Sequence, residues 1–310
     1  MTYRGMTRRE LMQLAATTGV GLLAGARAAA AKAPGTIGVQ LYTVRDLIAK
    51  APAETLKAIA DIGYKEVEVI RGTMDTVVPL AKADGMNPVS VHVDSVLITG
   101  NWDSFRQMAA RFPAMALPEG YDLAACIRDV KAAGAKFIVM PYLAPPERPK
   151  DAAGFKAFGE TLNKAGEQIK KAGLQLCYHN HAFEFTPLDG RTRALDVLLA
   201  SANPDLVKLE LDVFWVSVAG ADPVALIKQH GSRIALMHLK DKMKGAPVSL
   251  TEAVPPSTFV EVGSGALNFP EILDAAQAAG VQHYFVEQDQ TAGNPIDSLR
   301  KSYQYLRSLT

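Results

Sequence analysis

From residue 36 onward the chain repeats one unit eight times, a short apolar run followed by an amphipathic helical stretch. The apolar runs fall at 37–43, 67–71, 88–93, 137–142, 174–179, 207–212, 234–240 and 284–287. The helical stretches fall at 52–62, 76–83, 123–133, 152–172, 194–200, 223–229, 270–279 and 296–309. Several runs, such as Phe137-Ile138-Val139-Met140, are apolar without a break, which marks a parallel strand covered on both faces. Gly63, Gly85, Gly134, Gly173, Gly231 and Gly280 stand just past helix ends, where a left-handed residue closes the last turn. Eight such units predict one α/β domain closed into a (β/α)₈ barrel rather than an open sheet. No G-x-G-x-x-G follows a strand, so a dinucleotide-binding fold has no support. The least regular stretches, 97–120 and 242–268, read as loops that shape the barrel mouth.

Charge narrows the partners. The 310 residues carry a formal net charge of +1, with no basic surplus for nucleic acid and no polybasic run for anionic lipid. The first residues have their own pattern: Arg8-Arg9, an apolar stretch at 14–26, then Ala28-Ala29-Ala30-Ala31. A charged region, an apolar region and a run of small residues in that order predict a secretory leader, and the arginine pair points to the twin-arginine route. The expectation is a leader over 1–31, a single catalytic domain over 32–310, and a periplasmic mature protein. The apolar stretch is too short and glycine-rich for a comfortable membrane span, so no stable anchor is expected. Removing the leader takes away four arginines and one glutamate, and the net charge passes from +1 to −2. Cys126 and Cys177, the only cysteines, both lie in apolar contexts and read as buried free thiols. A small-molecule partner fits this balance, and assembly into a homo-oligomer is compatible with it.

On a (β/α)₈ barrel the chemistry sits at the C-terminal strand ends. The first four strands deliver Gln40, Tyr42, Glu68, His92 and Tyr142 there, and these are expected to contact substrate together with Trp215. The last four strands end in His179-Asn180-His181 with Glu184 beyond, Glu210-Leu211-Asp212, His238-Leu239-Lys240-Asp241 and Glu287-Gln288-Asp289. Carboxylates plus an imidazole form a mixed oxygen and nitrogen site for one divalent ion, Mn²⁺ or Zn²⁺ first, with Mg²⁺ or Co²⁺ as alternatives. Without sulfur ligands it is not a structural zinc site. Each residue alone also reads as a helix cap, a salt-bridge partner or a satisfied core histidine. Together they concentrate like charge that one barrel end does not bury without a cation.

The segments "YHNHAFEF", "LELDVFW", "MHLKD" and "VEQD" resemble those of the xylose isomerase-like TIM barrels, and the likeness runs from "GVQLYTVRD" to "DSLRKSYQYL". That family includes sugar isomerases, ketose 3-epimerases, inosose dehydratases, endonuclease IV and relatives that act on 3-keto-glycosides. The resemblance implies Glu184, Asp212, His238 and Glu287 as metal ligands. It leaves His179 as an alternative to Glu184 on the fifth strand, and Glu184 is favoured because it keeps a set of three carboxylates and one histidine. Epimerases of the family often carry a histidine three residues after the sixth-strand aspartate, where this chain has Trp215.

These readings lead to an expected enzyme. A metal ion polarises a sugar ketone, a neutral imidazole removes the neighbouring proton, and an enediolate results. His181 is the expected base with His179 second, and Lys240 either neutralises a developing oxyanion or pairs with Asp241. Reprotonation then gives isomerisation or epimerisation, and loss of a β-substituent gives a lyase. The alternative is a non-catalytic exported sugar-binding protein using Tyr42, Trp102, Tyr142 and Trp215 as sugar faces. A DNA-repair nuclease, whose site resembles a multi-zinc cluster, fits poorly, since of six histidines His230 and His283 lie away from strand C-terminal ends. Gly263-Ser264-Gly265 is the one weak candidate for a phosphate cradle, and export favours a free or glycosidic keto-sugar over a phosphorylated one.

Overall fold

A computed structural model describes residues 33–111 and 117–309. The expected leader therefore lies outside the described residues. The barrel strands are β1 (Gly38–Gln40), β2 (Glu66–Ile70), β3 (Asn87–His92), β4 (Phe137–Met140), β5 (Gln175–His179), β6 (Val207–Asp212), β7 (Ile234–Leu239) and β10 (His283–Val286). Each pairs in parallel with its neighbours, and β10 closes the ring on β1. A separate antiparallel ribbon, β8 (Asp241–Lys242) with β9 (Phe259–Val260), stands beyond the end of β7.

Side-chain alternation explains the closed form. The outward residues of each strand, among them Val39, Val67, Val69, Val91, Leu209 and Leu211, join the main core under the helices. The inward residues stack in layers. Val89, Val139, Cys177, Leu236 and Phe285 form a separate apolar plug in the barrel centre. Burying a side chain such as Phe285 contributes about 1.5–3 kcal/mol. Gly38 makes room for it, because a Cβ there would lie 2.5 Å from the Phe285 ring. On the C-terminal side of this plug the inward residues turn polar, with Gln40, Glu68, Ser90, Glu210 and His238 all buried.

Several expectations need correction. β1 ends at Gln40 rather than 43, because its side-chain carbonyl accepts from Tyr42 N and turns the chain into a 3₁₀ helix. The stretch 97–120 is no plain loop: helices Ser95–Thr99 and Trp102–Arg111 occupy its first part. The stretch 242–268 holds the β8/β9 ribbon. A helix at Val213–Val218 follows β6 directly, capped by Asp212, whose Oδ1 accepts from Phe214 N and Trp215 N. Gly231 is not left-handed: at φ −50 it starts a 3₁₀ turn. Both cysteines are buried free thiols. Among the described residues no helix is long and apolar enough to cross a membrane.

Candidate functional site

The last four barrel strands bring their polar ends together. One ligand atom each from His179, Asp212, His238 and Glu287 lies within 4.8 Å of the others. His238 Nδ1 is 2.8 Å from Glu287 Oε2 and 3.8 Å from Asp212 Oδ2, and His179 Nε2 is 3.4 Å from Asp212 Oδ2. Lys240 Nζ reaches the same carboxylates, 3.1 Å from Asp212 Oδ2 and 2.7 Å from Glu287 Oε2, and also lies 2.7 Å from Asp289 Oδ1. Asn180 locks β5 to β6: it donates to the Asp212 carbonyl and accepts from Asp212 N.

Beneath this group lies a second one. Glu68, His92, Glu210 and His238 also place one ligand atom each within 4.8 Å of the rest. Glu68 Oε1 is 2.6 Å from His238 Nε2 and 2.8 Å from His92 Nε2, while Glu210 Oε2 is 3.0 Å from His92 Nε2. Gln40 donates to Glu68 Oε1 at 3.0 Å and Ser90 donates to Glu68 Oε2 at 2.5 Å. His238 thus serves both groups, one through each ring nitrogen.

Whether these residues suit a cation is tested by what is left unpaired. Both ring nitrogens of His179 and Asp212 Oδ2 are buried with no hydrogen-bond partner. Lys240 Nζ and His179 Nε2 are near Asp212 Oδ2, but neither is aligned to hydrogen-bond it. Unpaired buried polar atoms of this kind cost about 1–3 kcal/mol each unless a ligand satisfies them. Glu68, Glu210, Asp212 and Glu287 are buried together here with the Lys240 ammonium and the His92 and His238 imidazoles. A divalent ion fits the unpaired His179 and Asp212 atoms and the carboxylates around them.

The titration behaviour follows from burial and neighbours. Burial opposes ionisation of Asp212 and Glu287, but the Lys240 ammonium outweighs it and holds both well below the usual carboxylate range. Burial pushes Glu210 up to about 7, helped by the Glu68 charge, and pushes Asp289 up to about 6 against the pull of Lys240. Burial also works against protonation of His238, yet the surrounding Glu210, Glu287 and Glu68 raise it well above the usual imidazole range. His179 goes the other way, to about 4, because burial dominates. Burial, then His179 and Lys240, push His181 well below the imidazole range, though its partial exposure at the mouth tempers the push.

The expected ligand set changes in one member. Asp212, His238 and Glu287 come together, and Glu184 does not. The chain leaving β5 makes a 3₁₀ turn at Phe183–Phe185 that carries Glu184 behind the barrel wall. There its Oε1 accepts from the Tyr178 hydroxyl at 2.6 Å and its Oε2 from His181 N at 2.9 Å. Burial pushes Glu184 up to about 8, which keeps it a neutral acid and a poor ligand near neutral pH. His179 stands in its place. Glu184 instead pins the turn that presents His181, whose ring meets His179, Tyr142 and Trp215 with centroids 4.9, 5.2 and 5.2 Å away.

The expected substrate contacts divide into two sets. Tyr42 and Tyr142 stand open at the mouth, 41% and 39% exposed, and Trp215 is 3% exposed with a buried, unpartnered indole N–H. Gln40 and Glu68 are fully buried below and His92 nearly so, all three occupied by one another and by Ser90, Glu210 and His238. They support the site rather than line its opening. Trp102 packs against Phe105 on an outer helix, away from the cluster. Lys240 pairs with Asp212, Glu287 and Asp289 rather than Asp241, because neighbouring residues point to opposite faces. Asp241 is itself the occupant of the glycine loop: its Oδ2 accepts from Gly263 N and Gly265 N and its Oδ1 from Leu267 N. No phosphate cradle is open there. Glu210 and Asp289 were legible as strand-end carboxylates but carried no assigned role. The period-2 alternation that puts Glu210 on the Asp212 face was the available signal.

Fold and site together define a (β/α)₈ barrel with a carboxylate and imidazole centre at its C-terminal mouth. Residues 121–309 match the sequence model of the family described as xylose isomerase-like TIM barrel, and the chain belongs to that family. An inosose dehydratase of Geobacillus thermodenitrificans is 30% identical over 156 residues, 47% of this chain and 51% of that one. The match thus spans about half the length of that curated relative. A sugar phosphate isomerase/epimerase from Parabacteroides distasonis superposes with a TM-score of 0.70 at 24% identity, covering 87% of this chain and 96% of that one. The IolI protein, solved with a bound zinc atom, gives 0.64 at 15% identity over 88% and 98%. At these identities the two structures speak for the fold alone.

Proposed function

We propose that this chain is a divalent-metal-dependent enzyme that moves a proton next to the carbonyl of a keto-sugar, as an isomerase, epimerase or dehydratase, and that a 3-keto-glycoside is its substrate class. The observation that carries the proposal is the convergence of unpartnered buried atoms from His179 and Asp212 on His238 Nδ1 and Glu287 Oε2. The dehydratase named among its relatives and the zinc atom named for IolI support the same reading. His179, Asp212, His238 and Glu287 would hold the ion. Bound there, a divalent ion supplies Lewis acidity for a ketone oxygen. His181 stays neutral at ordinary pH and offers Nδ1, which has no hydrogen-bond partner, as the proton acceptor. Lys240 keeps its charge among three carboxylates and stabilises negative charge building on the substrate oxygen. Tyr142 and Trp215 wall the space around His181 and contact the sugar.

The test measures metal per chain in protein purified without chelator, and solvent deuterium exchange next to the ketone of a 3-keto-glucoside. One ion per chain is expected. His181→Ala should keep the ion and slow exchange by roughly 10²- to 10⁴-fold. No ion after loading with Mn²⁺ or Zn²⁺ would defeat the metal site, and undiminished exchange in His181→Ala would defeat the base. We propose further that residues 1–31 export the chain to the periplasm, on the strength of Arg8-Arg9 and the small-residue run that ends at Ala31. Intact-mass measurement after cell fractionation checks this: a chain that begins at Met1 and stays in the cytoplasm sinks it.

A further inference from the structure

His238 faces two groups at once, and its two ring nitrogens are not equivalent. Nδ1 lies toward Glu287 and Asp212, whereas Nε2 lies 2.6 Å from Glu68 Oε1 and 3.4 Å from Glu210 Oε2. A ligating nitrogen needs its lone pair free, so an imidazole that ligates through Nδ1 must carry its proton on Nε2. We infer that Glu68, for which no role in metal binding has been assigned, is the positioning residue that holds this proton and so fixes the ligating tautomer and ring plane of His238. The inference rests on the metal site proposed above.

Three observations carry it. First, Glu68 is fully buried and cannot swing away. Ser90 Oγ holds its Oε2, and the Gln40 amide holds the same Oε1 that meets His238. Second, Nε2 makes the shorter of the ring's two carboxylate contacts, 2.6 Å to Glu68 Oε1 against 2.8 Å from Nδ1 to Glu287 Oε2, and an ion among the upper ligands would take the Nδ1 lone pair, whereas nothing would separate a bare Nε2 from Glu68. Third, the spacing in the lower group is that of hydrogen bonds rather than of ligands around an ion. Its closest contacts are 2.6, 2.8 and 3.0 Å, whereas donors about 2.1 Å from a tetrahedral ion stand about 3.4 Å apart. The upper group holds one contact as short, His238 Nδ1 to Glu287 Oε2 at 2.8 Å, but His179 Nε2 and His238 Nδ1 stand 3.4 and 3.8 Å from Asp212 Oδ2. The lower group therefore supports a ligand instead of forming a second ion site. Outer partners that orient ligating histidines in this way typically contribute 10- to 100-fold in metal affinity.

The test compares wild type with Glu68→Gln, Glu68→Ala and Ser90→Ala. Zn²⁺ affinity is measured by competition with a chromogenic chelator, and the His238 tautomer by nitrogen NMR of ¹⁵N-histidine-labelled, zinc-loaded protein. Glu68→Ala should weaken Zn²⁺ binding by roughly 10- to 100-fold. Glu68→Gln keeps an acceptor without the charge and should lose less, and Ser90→Ala least. In the loaded wild type, His238 should coordinate through Nδ1 with a slowly exchanging proton on Nε2. Coordination through Nε2, or a Zn²⁺ affinity within twofold of wild type in a folded Glu68→Ala, overturns the inference. Two ions per wild-type chain, one of them lost with Glu68, also overturns it and makes the lower group a metal site. If Glu68→Ala does not fold, Glu68→Gln with the tautomer measurement decides. A wild type that binds no Zn²⁺ defeats the metal site itself, an outcome separate from all of these.

Discussion

Glu210 and Asp212 leave the same strand on the same face, two residues apart, yet they belong to opposite kinds of environment. Asp212 stands among atoms that lack partners and beside an ammonium that shares its oxygens with Glu287. Glu210 stands one layer deeper, with its Oε2 on His92 and only its Oε1 unpartnered, where Glu68, His92, Gln40 and Ser90 satisfy one another at hydrogen-bond distances. A buried network whose members are satisfied rigidifies what lies on it, and one left incomplete is a place for something else to bind. One barrel interior thus holds a support and a site in adjacent layers, joined by the ring of His238.

The sharpest way to break this comparison is to remove each carboxylate in turn. Asp212→Ala should abolish metal binding, with a loss larger than the roughly 10- to 100-fold that an outer partner costs. Glu210→Gln should cost less than the roughly 10- to 100-fold of a direct outer partner, since Glu210 Oε2 is 3.4 Å from His238 Nε2 against 2.6 Å for Glu68 Oε1. Calorimetric metal titration of the two variants decides it, and a larger loss from Glu210→Gln would invert the two layers.

Lys240 tests the charge side of the same contrast. It is the fixed cation among the upper carboxylates, so Lys240→Gln should destabilise the metal-free protein by about 3–5 kcal/mol, the usual effect of breaking a buried ion pair from one side. Saturating metal should restore much of this loss, because the ion then neutralises Asp212 and Glu287. Denaturant melts with and without Zn²⁺ measure both quantities. An equal loss in the two conditions would mean that Lys240 is needed for packing rather than for charge.

The smallest effect belongs to Glu184, which the structure separates from both layers. Glu184→Gln should leave metal content unchanged. Glu184 is held at about 8 when folded, against about 4.3 in an unfolded chain, so folding favours its protonated form. The stability that this provides is fully present below the unfolded value and is lost as pH rises through about 8. Thermal melts at about pH 5 and about pH 8 should therefore show Glu184→Gln gaining on wild type at the higher pH. Loss of metal in this variant would return Glu184 to the ligand set.

The periodicity of the chain determined much of this protein without help. Eight apolar runs and eight helical stretches dictate a closed parallel barrel, because a parallel strand buries both faces and needs a covering helix on the outside. Asp212, His238, Lys240 and Glu287 were legible because strand ends on such a barrel converge whatever the details of its loops. The tertiary structure decided what linear spacing does not carry. A 3₁₀ turn at Phe183–Phe185 swings Glu184 behind the wall and leaves His179 in its place. Strand closure brings Glu68 of the second strand against His238 of the seventh, 170 positions apart in the chain. Gly263 and Gly265 close on Asp241, filling with the protein's own carboxylate a loop that by sequence could hold an anion from outside. Strand ends are set by a local period, whereas the depth of a side chain and its partners depend on which strands meet across the barrel. That meeting exists only once the ring has closed.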